Sequence, residues 1–232
     1  MLIGLDRLRS EDGLVRLLGG RPFGLLSHPA AVDKGLVHVS QVLADLELTP
    51  RIIFGPEHGY GGEAQDMVGV SDARDPHTGA RIVSLYGETF GELSPRASDL
   101  EGLELLVIDL ADVGSRYYTF VWSALLAVRA AHAAGISVVL LDRPNPLGGT
   151  TCEGRLVEPG FASFVGLEPV PVRHGLTIGE IVSLFADRDG LPREALSVIP
   201  CIGWQREALA SAWDRPYVMP SPNMPTEPRA PL

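Results

Sequence analysis

Short apolar runs alternate with amphipathic stretches along most of the chain. Phe23–Ser27, Arg51–Phe54, Arg81–Leu85, Leu105–Asp109 and Ser137–Leu141 read as strands. The fourth and fifth are apolar nearly throughout, as strands covered on both faces of a parallel sheet are. Between them, Val39, Val42, Leu43 and Leu46 fall at helical spacing. So do Val121, Trp122, Leu125, Leu126 and Ala130, whose run stops at Gly135. Thr177 followed three residues later by Glu180 predicts a capping box opening a helix to about Ala186, and Leu196–Ile202 reads as one more strand. Alternating strands and helices predict an α/β protein: a Rossmann-like, mostly parallel sheet with helices on both faces. The expected division is a domain over residues 1–168 and a smaller segment over 169–232, the start of a truncated C-terminal part. Six prolines between Pro216 and Pro231 predict an extended tail.

Composition narrows the function. The 232 residues are 45% hydrophobic and 21% charged, which suits a folded globular chain. With 19 Lys+Arg against 29 Asp+Glu the formal charge is -10, and no basic block interrupts it. Binding to nucleic acid or to an anionic membrane is therefore not expected. Charges at Asp6, Arg7 and Arg9 are unlike a signal peptide, and no apolar run approaches 18 residues, so the expected location is the cytoplasm. Cys152 and Cys201 imply two free thiols. The absence of an HExxH motif, a Cys/His cluster or paired histidines argues against a metal, and no other cofactor is expected.

In open parallel sheets, ligands gather at the carboxyl ends of the strands. Here those ends are polar: Gly55-Pro56-Glu57-His58-Gly59 after the second strand, Asp112-Val113-Gly114-Ser115-Arg116-Tyr117-Tyr118 after the fourth, and Asp142-Arg143-Pro144-Asn145-Pro146 after the fifth. The glycines around Glu57 and His58 suit a presented pair, but no Gly-Lys-Ser/Thr follows, which disfavours nucleotides. Asp112 is either a catalytic carboxylate or a helix cap. Two prolines stiffen the loop holding Arg143 and Asn145, and Tyr117 and Tyr118 offer rings to a polar cyclic ligand. Glu153, Arg173, His174 and Asn223 complete the candidates, whereas His28, His38, His77 and His132 read as structural or surface residues. Carboxylates, arginines and tyrosines are the inventory of glycoside hydrolysis.

The ordered runs Phe54-Gly55-Pro56-Glu57-His58-Gly59, Ser84-Leu85-Tyr86-Gly87, Asp112 to Thr119, Leu141 to Pro146, Val172-Arg173-His174-Gly175 and Pro220 to Thr226 resemble the exo-β-N-acetylmuramidase family (NamZ, DUF1343 or YbbC type). The resemblance implies removal of N-acetylmuramic acid from the non-reducing end of peptidoglycan fragments in cell-wall recycling, at a cleft between a Rossmann-like domain and a C-terminal domain. It makes Glu57 the general acid or other essential carboxylate, and sets His58, Asp112 and Glu153 in or beside matching motifs. Arg116, Arg143 and Arg173 become candidates for the lactyl carboxylate of the sugar. Two departures stand out: the chain stops six residues after Thr226, and Ser27-His28-Pro29-Ala30-Ala31 differs from the Thr-Asn-His-Thr-Gly type. The alternative is accordingly a weakly active muropeptide-binding or regulatory module lacking the C-terminal domain; separately, a homodimer is expected to cover the exposed cleft.

Overall fold

The structure is a computed structural model and describes residues 1–57, 59–60, 73–87 and 89–221. Strands β1 (Phe23–Ser27), β2 (Ile52–Gly55), β3 (Arg81–Ser84), β4 (Leu105–Asp109), β5 (Ser137–Leu141) and β6 (Leu196–Ile199) form one sheet in the order β3-β2-β1-β4-β5-β6. Every neighbouring pair is parallel, with Leu25 opposite both Ile53 and Val107 and with Val139 opposite both Val107 and Ser197. This is the order of doubly wound folds, whose direction of winding reverses between β1 and β4.

Alternation along the strands feeds two cores. Leu26, Phe54, Leu106, Ile108, Val138 and Leu140 face α5 (Phe120–Ala133) and α6 (Ile178–Arg188). Leu25, Ile53, Val107, Val139 and Leu141 face α1 (Gly4–Ser10), α2 (Asp12–Leu18) and α3 (Val39–Asp45). A short turn of helix, α4 (Ala97–Leu100), precedes β4. Because both faces are covered, β1, β2 and β4 are buried along their whole length, which is why they carry no polar alternation. Helix α5 ends where Gly135 N–H returns to the His132 carbonyl, as the sequence implied.

Residues 169–221 pack on the same sheet. Helix α6 packs on α5 with Ile178, Ile181, Val182 and Phe185 in the same core, and β6 pairs with β5. The capping box is present: Thr177 Oγ1 accepts from Glu180 N–H at 3.1 Å, and Glu180 Oε2 accepts from Thr177 N–H at 3.0 Å. The buried Asp142 ties this helix to the end of β5, accepting from Thr177 Oγ1 at 2.7 Å, Gly179 N–H at 2.9 Å and Arg143 N–H at 3.0 Å. The N-terminal segment lies against the same end of β5, with Gly4 N–H donating to the Asp142 carbonyl.

Candidate functional site

The winding reversal opens a crevice at the carboxyl ends of β1 and β4, and the polar loops predicted from the sequence converge there. The loop after β1, Ser27 to Lys34, has no glycine, so the tight phosphate-binding turn of dinucleotide folds has no counterpart. His28 instead fills this loop's base. It is fully buried, its Nε2 accepts from Ala111 N–H at 2.8 Å, and its ring stands edge-on to Phe120. Burial, reinforced by the nearby Arg143 and His38, holds its pKa well below the ordinary 6.5, so it is neutral.

Glu57 follows β2 by two residues and is half-buried. Its Oε2 accepts a 2.6 Å hydrogen bond from the hydroxyl of Thr119, the residue before α5. A threonine there ordinarily caps the helix with its side chain. Thr119 caps with its carbonyl only, accepting from Ser123 N–H, while its hydroxyl is turned to Glu57. His58 and Asn223 lie outside the described residues.

Asp112 stands in the loop after β4. Its Oδ2 accepts from Gly114 N–H at 3.1 Å and lies 3.2 Å from Nε2 of the fully buried His174, off the line of a well-formed hydrogen bond. His174 Nδ1 accepts from Leu176 N–H at 3.2 Å, which puts the proton of the neutral ring on Nε2, toward Asp112. The other carboxylate oxygen, Asp112 Oδ1, is buried without a hydrogen-bond partner, and so is the hydroxyl of Tyr118. Burial raises the Tyr118 pKa well above 10, and the charges of Asp112, Tyr217 and Glu57 push it the same way. Tyr217 closes the group, its hydroxyl donating to the Asp112 carbonyl at 3.4 Å. The turn needs glycine at 114: φ is +80°, and a Cβ there would meet Asn145 Oδ1 at 2.4 Å.

Other candidates are occupied structurally. The Arg143 guanidinium forks onto Asp109, with Nε to Oδ1 at 2.5 Å and Nη2 to Oδ2 at 2.8 Å, and its Nη1 donates to the Val32 carbonyl at 3.0 Å. It is not a free cation for a substrate. Asn145 is buried and braced between Leu147 N–H at 2.8 Å and the Leu176 carbonyl at 2.9 Å. Arg116 Nη1 donates to the carbonyls of Arg155 and Val170. Arg173 pairs with the exposed Glu153 at 2.8 Å and donates to the Leu147 carbonyl. Isolated bridges join Arg173 to Ser115 and to Glu153, so Arg116 and Arg173 start from adjacent backbones beside the Asp112 loop.

The structure thus gathers Glu57, Asp112 and His174 around the start of α5 and adds Thr119 and Tyr217, which spacing alone does not single out. Tyr117 is 61% exposed, whereas its neighbour Tyr118 is half-buried and packs at a tilt on Phe120. Among the described residues no group of three or more His, Cys, Asp or Glu side chains is arranged to hold a metal ion. Among the described residues no helix is long and apolar enough to cross a membrane, and both cysteines are free.

Residues 23–228 match the family described as exo-beta-N-acetylmuramidase NamZ, N-terminal. Over 226 residues the chain is 41% identical to the peptidoglycan beta-N-acetylmuramidase NamZ of Bacillus subtilis (strain 168), covering 96% of this chain and 53% of that protein. Two crystal structures of DUF1343 family proteins from Bacteroides fragilis NCTC 9343 share the fold. One is 30% identical with a TM-score of 0.79, over 90% of this chain and 52% of the other. The second is 26% identical with a TM-score of 0.73, over 90% and 54%. The chain spans about half the length of each of these relatives. With the fold, the ordered motifs and the match over residues 23–228 in agreement, the chain belongs to the NamZ family and carries its N-terminal part.

Proposed function

We propose that the protein is an exo-acting glycosidase that releases N-acetylmuramic acid from the non-reducing end of peptidoglycan fragments, serving cell-wall recycling in the cytoplasm. The observation that carries this reading is Glu57, set in its glycine-flanked loop, held by Thr119 and facing the same helix start as Asp112. The name of the Bacillus subtilis relative supports the substrate class.

Hydrolysis of a glycosidic bond needs a proton delivered to the leaving oxygen and stabilisation of positive charge at the anomeric carbon. Glu57 is the proton donor in this reading. The Thr119 hydroxyl occupies Oε2 and leaves Oε1 to the substrate. Asp112, whose Oδ2 accepts from Gly114 N–H and lies 3.2 Å from His174 Nε2, supplies the second carboxylate. The lactyl carboxylate falls to Arg116 or Arg173, since Arg143 is taken up by Asp109. Arg173 is the better placed of the two, because its partner Glu153 is half exposed and exchangeable.

Incubation with disaccharides carrying either N-acetylmuramic acid or N-acetylglucosamine at the non-reducing end tests the reading. Release of the muramic acid alone, abolished in Glu57→Gln with an unchanged circular dichroism spectrum, is the expected result. Unimpaired release by Glu57→Gln removes Glu57 from the chemistry. Calorimetric binding of N-acetylmuramic acid without any hydrolysis would favour a binding module instead.

A further inference from the structure

The run Ser84-Leu85-Tyr86-Gly87 has no part in the site described so far, yet it leaves the sheet beside Glu57. Gly55 is opposite Ser84 in the parallel pairing of β2 with β3, and Leu85 N–H donates to the Gly55 carbonyl at 2.7 Å, so the pairing runs one residue past β3. Glu57 and Tyr86 each follow a member of the Gly55–Ser84 pair by two residues, at the same edge of the sheet. The turn carrying Glu57 stays over the end of β2. It is closed by Gly59 N–H on the Pro56 carbonyl at 2.9 Å and folds back on Gly55, where Tyr60 N leaves no room for a Cβ.

Beyond Tyr86 the chain is braced. Gly87 passes so close to Glu92 that a Cβ would meet its carboxylate oxygen at 2.6 Å, and the same oxygen accepts from Thr89 N–H and Thr89 Oγ1 at 2.9 Å each. This capping box opens the 3-10 turn Phe90–Leu93. Leu85 and Leu93 are buried, whereas Tyr86 is 41% and Phe90 54% exposed. Two aromatic rings thus stand open on a braced segment beside the reacting carboxyl group. A sugar ring presents apolar C–H faces, and a fixed aromatic ring stacks on such a face at little cost in conformational entropy.

The order of the strands gives the substrate a direction. β2, which carries Glu57, has β3 on one side and β1 followed by β4 on the other. Asp112 follows β4, and Arg173 bridges to Ser115 in the same loop. We infer that the muramic acid ring lies from Glu57 toward β4, and that Tyr86, flanked by Phe90, forms the subsite for the departing sugar, a neutral pyranose stacked on the Tyr86 ring over the end of β3. The inference rests on the glycosidase reading above and deepens it. Glu57 then stands between the two rings, at the leaving oxygen that it protonates, and Tyr86 sets which leaving groups are favoured.

The test compares two substrates: a disaccharide of N-acetylmuramic acid with N-acetylglucosamine as the leaving sugar, and trifluoroethyl β-N-acetylmuramide, whose leaving group departs readily but has no ring. The quantity read is the ratio of their kcat/KM values. In Tyr86→Ala the preference for the disaccharide is expected to fall by about tenfold, the scale of one stacking contact, and in Tyr86→Phe, which keeps the ring, to stay within about twofold of the parent. A variant that merely damages the fold lowers both rates and leaves the ratio where it was. A ratio in Tyr86→Ala within about twofold of the parent overturns the inference while leaving the glycosidase reading intact, and loss of the preference in Tyr86→Phe as well overturns the stacking. Release from neither substrate by the parent sinks the glycosidase reading. Whenever the parent does not turn over both, calorimetry decides the subsite. Binding of the disaccharide about tenfold tighter than the trifluoroethyl glycoside, with the difference lost in Tyr86→Ala, supports it. Equal binding of the two, or binding of neither, overturns it.

Discussion

The hydroxyl of Thr119 donates to Oε2 of Glu57 across 2.6 Å, joining the loop after β2 to the start of α5. The bond spans 62 positions in sequence and fixes one face of the carboxyl group. Thr119→Val keeps the shape of the side chain and removes the donor. Losing the hydrogen bond that positions the reacting carboxyl group lowers kcat by about 10–100-fold, while Thr119→Ser restores most of it. A kcat unchanged in Thr119→Val would show that Glu57 needs no such hold.

Arg143 and Asp109 make a different kind of contact. The Asp109 side chain is fully buried and the Arg143 side chain 9% exposed, so each charge depends on the other. Arg143→Met leaves the carboxylate buried and unpaired, at an expected cost of about 3–5 kcal/mol read from the denaturant midpoint. A residue that served substrate binding would show the reverse pattern, a raised KM with stability intact.

Two buried groups give stability opposite dependences on pH. Burial raises the Asp142 pKa from 3.8 to about 6, against the hydrogen bonds from Thr177, Gly179 and Arg143 that favour its charged form. Between those values the folded chain holds a proton that the unfolded chain has released, so the Asp142 contribution falls as pH rises from about 4 to about 6 and is flat above. The fall relative to Asp142→Asn, which cannot ionise, is on the order of 3 kcal/mol. His28 acts the other way. Its folded pKa is depressed, so the unfolded chain alone takes up a proton below about 6.5 and stability declines with falling pH there. Chemical denaturation of the parent and of Asp142→Asn at pH 4, 5, 6 and 7 separates the two, and a constant difference between them would contradict the Asp142 assignment.

The strands and the main helices were legible because they obey local rules. Val107 and Ile108 face opposite cores, so β4 is apolar from Leu105 to Ile108, and Gly135 stops α5 where a left-handed residue is needed. What escaped local reading is what depends on distant pairing. β6 joins the main sheet through β5, which no pattern within residues 169–232 reveals. Ile3 and helices α1 and α2, through Leu5, Leu8 and Leu18, enter the core, a role the short charged N-terminal stretch conceals. At the site, the Arg143–Asp109 pair spans 34 positions, so a cation stiffened by prolines read as a ligand contact when its partner lay in β4. Thr119 carried the ordinary signature of a helix cap, and its bond to Glu57 across 62 positions has no local signal.

The central claim is that Glu57 and the residues around it act on a muramic acid glycoside. Its most direct test is turnover of a chromogenic β-N-acetylmuramide beside the matching β-N-acetylglucosaminide, by this chain and by Glu57→Gln. The expected result is release from the muramide alone, lost in Glu57→Gln. Release from neither sugar by the folded chain, or equal release by Glu57→Gln, would contradict it.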